Sequence, residues 1–222
     1  MELIASSDVE LDKLRDQMFP DSVKTMIATN VYVGCEMSKE LRDNLINMPM
    51  RATWIAGIAL GFFIDKLMAE QIDLSIVGKS PYHYREIRIP KCGYPYIEYY
   101  SDNGKFHIKK VNKAEHLPNA AVHRLSNALS NQFFLDFGPE YIPTGSHAPF
   151  GIITFGHYKF ERPFISLGFP KWDYSGWADR WDISDKISRE IAETIMSRKA
   201  PAIREEFQEN IMKKFELKIK GD

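Results

Sequence analysis

Polar and apolar positions change their period several times along the chain, and each change predicts a different element. The first stretch reads as helix. Ser7-Asp8-Val9-Glu10 fits a capping box, in which the Ser7 hydroxyl accepts from the Glu10 amide and Glu10 reaches back. Leu11, Leu14 and Met18 then form a short apolar stripe that Pro20 ends. Further helices are expected over 21–29, from Ser38 to about Asn47, and from Arg51 to Gln71. The last of these is apolar around most of its first three turns and is expected to be central.

The period then falls to two. Ile72, Leu74 and Ile76 alternate with Asp73 and Ser75, and runs at Tyr84–Ile89, Tyr94–Tyr100 and Lys105–Val111 follow. Asn103-Gly104 is a hairpin signal, because both residues tolerate positive φ. Residues of about 72–111 are therefore expected to form a four-stranded antiparallel meander. After Pro118-Asn119 a helix is expected to turn Val122, Leu125, Leu129 and Phe133 inward, with Gly138-Pro139 closing it.

Gly151–His157 and Phe164–Phe169 are apolar on both alternating faces, as strands covered on both sides read. They predict a buried hairpin over about 151–169, with Tyr158–Pro163 as its tip. Ile183, Ile187, Ile191 and Ile195 suggest a helix capped by Asp182 or Ser184. Pro201 opens a last helix on Ile203, Phe207 and Ile211, and the alternating tail 215–220 is either a strand or a frayed helix end. The sum is one α+β domain over residues 1–222. Whether the hairpin joins the meander in one sheet stays open.

Composition narrows the classes. With 44% hydrophobic and 13% aromatic residues the chain can fill a core, which excludes a disordered polymer. The longest apolar run, Trp54–Ile64, is shorter than the ~20 residues a membrane span needs. Gly57 and Gly61 within it are spaced to admit a close backbone neighbour. Cys35 and Cys92 lack metal-ligand spacing and read as thiols in a reducing compartment. With no apolar leader near the N-terminus, a cytoplasmic protein without a membrane partner is expected.

No motif assigns a reaction, a cofactor or a metal. The chain has no HExxH, CxxC, GxSxG or GxGxxG. Gly78-Lys79-Ser80 ends like a phosphate-binding loop, but Asp73 replaces the first glycine and Pro81 stands where the helix should begin. Asp73 with Glu86-Ile-Arg88 resembles the Asp…Glu-x-Lys layout of metal-dependent nucleases of the restriction-endonuclease class. Here Arg88 takes the place of lysine.

Charge and aromaticity single out the meander. Between Lys79 and Lys113 there are eight basic residues against three acidic ones, and six of the ten tyrosines lie there, in a chain of net charge −1. Cations beside flat rings suit phosphates and bases. Strand alternation is expected to bury Ile87, Ile89, Ile97, Phe106 and Ile108. The open face would then carry Tyr84, Glu86, Arg88, Tyr94, Tyr96, Glu98, Tyr100, Lys105, His107 and Lys109. A solvated face with ordinary cross-strand ion pairs is the plain alternative.

Two other clusters are weighed against it. Asp136, Glu140, His147 and His157 fall at a helix end, a loop and a strand end, and have side chains fit for acid–base work. Trp172, Trp177 and Trp181 lie in an acidic stretch with Asp173, Asp179, Asp182 and Asp185, and are either core or a protein-binding edge. Three functions are thus expected candidates. They are non-enzymatic binding of nucleic acid or a nucleotide by the meander, phosphodiester hydrolysis by the acidic residues and histidines, and binding of another protein by the tryptophan edge.

Overall fold

The computed structural model describes residues 7–44, 49–73, 82–88, 95–131, 148–157 and 163–219. Among these residues it is a mixed α+β fold of six α-helices and one six-stranded sheet. By contacts it divides into two compact units, residues 1–25 with 74–186, and residues 26–73 with 187–222.

The second unit is helical. It holds most of α2 (Asp21–Asn44), together with α3 (Pro49–Asp73), α5 (Arg189–Arg198) and α6 (Ala200–Ile219). Its core is Val33, Met37, Phe63, Leu67, Ile195, Ile203 and Phe207 with small residues between them. The helices expected at 21–29 and from Ser38 are one 24-residue helix, because Asn30 and Ser38 spend their polar groups on α3 instead of breaking the turn. Asn30 Nδ2 donates to Gln71 Oε1 at 3.1 Å, and Ser38 Oγ donates to the Ala56 carbonyl at 2.8 Å.

Ile72 and Asp73 belong to α3 and not to a strand, and 74–81 lie outside the described residues. Gly57 and Gly61 meet nothing within 4 Å, and Ile58 is exposed, so α3 shows solvent a side that its sequence marks as apolar. Cys35 is a buried thiol, and Cys92 is outside the described residues. The helix expected to carry Ile183 through Ile195 is interrupted. Ile183 is buried ahead of a 3₁₀ turn at Ser184–Lys186, Ser188 caps α5, and Ile191 is exposed. The alternating tail is helical as far as Ile219. No helix among the described residues is long and apolar enough to cross a membrane.

The first unit is built on the sheet, in the order β1 (His83–Arg88), β2 (Pro95–Ser101), β3 (Gly104–Lys110), β4 (Phe150–His157), β5 (Pro163–Pro170), β6 (Trp177–Asp182). All neighbours are antiparallel except β3 and β4, which run parallel and weld the meander to the hairpin. Every described side chain of β4 and every one of β5 is buried, as strands covered on both faces must be. One face carries Tyr99, Phe106, Ile153, Phe155, Leu167 and Phe169, against which α1 (Ser7–Met18) and Phe19 pack. Phe19 lies 5.3 Å from Phe106 edge-on and 6.5 Å from Phe169, ring centre to ring centre. Leu11, Leu14 and Met18, the stripe of α1, are all buried.

The other face is covered near β4 by α4 (Val122–Ala128) and the segment before it. The helix sits opposite to expectation. Val122, Leu125 and Leu129 are exposed, and Ala128, Ser130 and Asn131 are buried. The inward stripe is polar, His123, Asn127 and Asn131 at fourfold spacing, because each finds a partner on or beside the sheet. Trp177 and Trp181 lie on strand β6 (Trp177–Asp182).

The hairpin between β2 and β3 is the one expected, with Ser101 opposite Gly104, but its geometry falls on one residue. Asp102 and Asn103 keep negative φ, and Gly104 alone turns positive, at 157°. A Cβ there would lie 2.6 Å from Met18 Sδ and 2.9 Å from the Pro149 carbonyl oxygen. Gly104→Ala is expected to cost about 1–3 kcal/mol of stability. Gly57→Ala, in open space on a helix, is expected to gain about 0.5–1 kcal/mol. Chemical denaturation of the two variants checks both signs.

Candidate functional site

Register decides which residues of β1–β3 share a face. Arg85 is opposite Glu98, Ile87 opposite Tyr96, His83 opposite Tyr100, and Tyr100 opposite Lys105. The face under α4 therefore collects Arg85, Tyr96, Glu98, Tyr100, Lys105, His107 and Lys109. Tyr84, Glu86 and Arg88 project the other way, one residue out of phase with the expected open face. Ile87, expected to be buried, shares the α4 face for the same reason and is only half-buried.

This face is not an open one throughout. Glu98 and His107, expected in solvent, are 2% and 0% exposed. Glu98 Oε1 accepts from Arg85 Nη2 at 2.6 Å and from Nε at 3.0 Å. Its Oε2 accepts from Asn127 Nδ2 of α4 at 3.2 Å. Burial pushes the Glu98 pKa up, but His107 and Arg85 outweigh it and hold the carboxyl at about 2.

His107 Nε2 is 3.5 Å from Glu98 Oε2, a long contact, and Nδ1 has no partner among the described residues. Three rings surround it: Tyr96 at 5.1 Å, Phe150 at 4.9 Å and His123 at 5.5 Å. Burial lowers its pKa, with the Glu98 carboxylate opposing and Lys109 and Arg124 acting in the same direction as burial. His123 stacks on Tyr96 at 4.2 Å and 18°. Burial first, then Arg124, His107 and Lys109, bring it down to about 4.

Cations dominate what is left. Lys105 is half-buried and its pKa is lowered by that burial, while Lys109 and Arg124 are half-buried beside the histidines. Tyr100 is 36% exposed, with the Arg85 guanidinium 5.2 Å from its ring and His83 5.7 Å away on the neighbouring strand. One strand further, Thr154 is opposite Lys109 and Ser166 in register. Its hydroxyl is fully buried and without a partner among the described residues. Ser166 Oγ accepts from Arg180 Nη1 at 2.9 Å.

Of the sequence-predicted residues, Tyr96, Tyr100, Lys105, His107 and Lys109 come together here. Arg88 and Glu86 pair with each other at 3.0 Å on the opposite face. Asp73 ends helix α3, so it does not stand on a strand as the nuclease-like layout expects. His157 ends β4 opposite Pro163. Tyr94, Asp136, Glu140 and His147 lie outside the described residues.

The tryptophans divide their roles. Trp177 Nε1 donates to the Glu115 carbonyl at 3.0 Å, Trp181 packs on Phe169 under the Arg15 guanidinium, and Trp172 is 45% exposed. Trp181 also lines a cleft of about 610 Å³ with Arg15, Lys24, Asp182, Asp185 and Lys186. Its cations are engaged by local carboxylates, Lys24 with Asp16 at 2.7 Å and Lys186 with Asp21 at 3.4 Å.

Sequence reasoning missed Arg85, His123, Arg124, Asn127 and Thr154. The signal for His123 and Asn127 was present as polar fourfold spacing on a helix whose apolar residues were assigned inward. Among the described residues no group of three His, Cys, Asp or Glu side chains could hold a metal ion. Comparison with protein-family models, curated protein sequences and solved structures gives no match.

The histidines and Glu98 make stability depend on acid with one sign. Between the ordinary histidine value near 6.5 and about 4, the unfolded chain binds a proton at position 123 that the folded chain refuses, and His107, also lowered, acts with the same sign. Below about 4.5 the unfolded chain also protonates Glu98 before the folded one does. The melting temperature is expected to fall steadily from pH 7 to pH 4. His123→Gln is expected to flatten that slope, and an unchanged slope would contradict the assignment.

Proposed function

We propose that the α4 face of β1–β3 binds a nucleotide or single-stranded nucleic acid, as a binding surface and not as a hydrolytic centre. The observation that carries this reading is electrostatic. Among the described residues, Arg85, Lys105 and Arg124 lie about one carboxylate, Glu98, which is buried and already neutralised by Arg85. A face of this kind keeps a positive excess that ordinary cross-strand pairing would have cancelled.

Stacking would fall chiefly to Tyr100, the exposed ring of the set, since His123 already covers one side of Tyr96. A hydrolase built on a strand pair of Asp73 and Glu86 has no support in the geometry, because Asp73 ends a helix and Glu86 is spent on Arg88.

Titration of fluorescently labelled single-stranded DNA and RNA at low and moderate salt tests the reading. Salt-sensitive binding is expected. Lys105→Ala with Lys109→Ala should weaken it at least about tenfold and reduce the slope of log K against log salt by roughly 1.4, the release expected for two phosphate contacts on a single strand. Arg88→Ala, on the opposite face, should change neither. No binding at low salt, or a loss that follows Arg88 and spares the two lysines, would overturn the assignment.

A further inference from the structure

A cavity and unengaged charge coincide in the cleft of about 610 Å³ beside Trp181. That is room for a small organic molecule, far more than a single ion needs. Its lining comes from the end of α1, the start of α2, the end of β6 and the 3₁₀ turn after it, all in the first unit. Three cations border the cleft, and each is already held. Arg15 pairs with Asp12 at 2.7 Å and Asp16 at 2.9 Å, Lys24 with Asp16 at 2.7 Å, and Lys186 with Asp21 at 3.4 Å. Arg15 first, and Lys24 after it, hold the Asp16 carboxyl at about 2. Two exposed carboxylates on the same cleft have no such partner. Asp182 Oδ1 accepts from the Ser184 amide at 2.8 Å, and neither Asp182 nor Asp185 has a cation paired with it among the described residues. The charge left over is negative, so the complementary ligand is a cation. A bare metal ion is not that cation, because no group of three His, Cys, Asp or Glu among the described residues could hold one. Trp181, Pro20 and Ile183 supply an apolar wall on which a hydrocarbon stem can lie while its charged head stays at the carboxylates.

We propose that this cleft binds an organic cation, an ammonium or guanidinium group on an alkyl stem, with its head drawn to Asp182 and Asp185 and its stem along Trp181 and Pro20. Two sources share that chemistry, a free polyamine and the lysine or arginine side chain of a basic peptide. The site is separate from the nucleotide face. Trp181 is the register partner of Leu167 and packs on Phe169, on the side of the sheet that α1 covers. Its sign is opposite as well.

Titration of the ¹⁵N-labelled whole chain with spermidine, a neutral diol of similar length, and a blocked tripeptide of lysine and arginine tests this. The Trp181 indole and Asp185 amide signals are expected to shift with spermidine and with the peptide, and to stay in place with the diol. The indole of the exposed Trp172 should not move. Asp182→Asn and Asp185→Asn should each weaken spermidine binding about threefold, and together about tenfold, as exposed ion pairs do. Asparagine keeps an acceptor for the Ser184 amide, so both variants should fold as the parent does. Asp102→Asn, an equal change of charge on the β2–β3 turn, should leave the affinity unchanged.

Spermidine affinity unchanged in the double variant would overturn the site, and so would an equal loss in Asp102→Asn. A diol that shifts the same signals as spermidine would also overturn it, as would cations that leave the Trp181 and Asp185 signals unmoved. Spermidine binding more tightly than the peptide would keep the site and assign it to a free polyamine. The reverse order would assign it to a basic chain.

Discussion

Two antiparallel meanders become one sheet only through the parallel pairing of β3 with β4, and a parallel pair cannot be closed by a tight turn. The chain must leave β3, cross one face and return, and among the described residues the buried Asn131 side chain ties that crossing to two strands. Asn131 donates to the Phe150 carbonyl at 3.0 Å and to the Pro170 carbonyl at 2.8 Å, and accepts from the Phe150 amide at 2.8 Å. Pro170 lies at an irregularity in the β5–β6 pairing, where a carbonyl loses its ladder partner and a side-chain amide replaces it. With Asn131 fixed, the turns before it bring Asn127 onto Glu98 and His123 onto Tyr96. The chemistry of the face follows from the topology of the sheet.

That same constraint explains which parts of the fold were legible in the sequence. β4 and β5 read correctly because a strand buried on both faces has no face to assign wrongly. Strand β1 was found within a residue, yet the set of side chains it shares with β2 was wrong. A shift of one position in pairing exchanges the two faces, and nothing in Tyr84–Ile89 marks which half is inward when both are largely exposed. The helix at 122–128 was found and oriented backwards. Val122, Leu125 and Leu129 outrank His123, Asn127 and Asn131 on any hydropathy scale, but the polar stripe has partners and the apolar one among the described residues has none to match. The Ile72-Asp73 alternation was too short to separate a strand from the last turn of a helix.

Of the candidate site, the tyrosines and lysines could be read from composition and period. Its electrostatic centre could not. Glu98 looks like one of several surface carboxylates in sequence, and only register shows that it is the one carboxylate among the named residues of its face and that Arg85 rather than Arg88 neutralises it. Burial of an ion pair is seldom a gain in stability by itself, since the desolvation cost rivals the attraction. Its effect here is on the field. With Glu98 cancelled inside the sheet by Arg85, Lys105 and Arg124 contribute positive charge on the same face among the described residues.

The most direct measurement is the aromatic ¹H–¹³C spectrum of tyrosine-labelled protein during titration with a short 5′-phosphorylated single strand. The account expects Tyr100 and Tyr96 to shift together as the ligand is added, with Tyr84 on the opposite face and buried Tyr99 unmoved. Shifts confined to Tyr84, or a spectrum unchanged at saturating oligonucleotide and low salt, would contradict it.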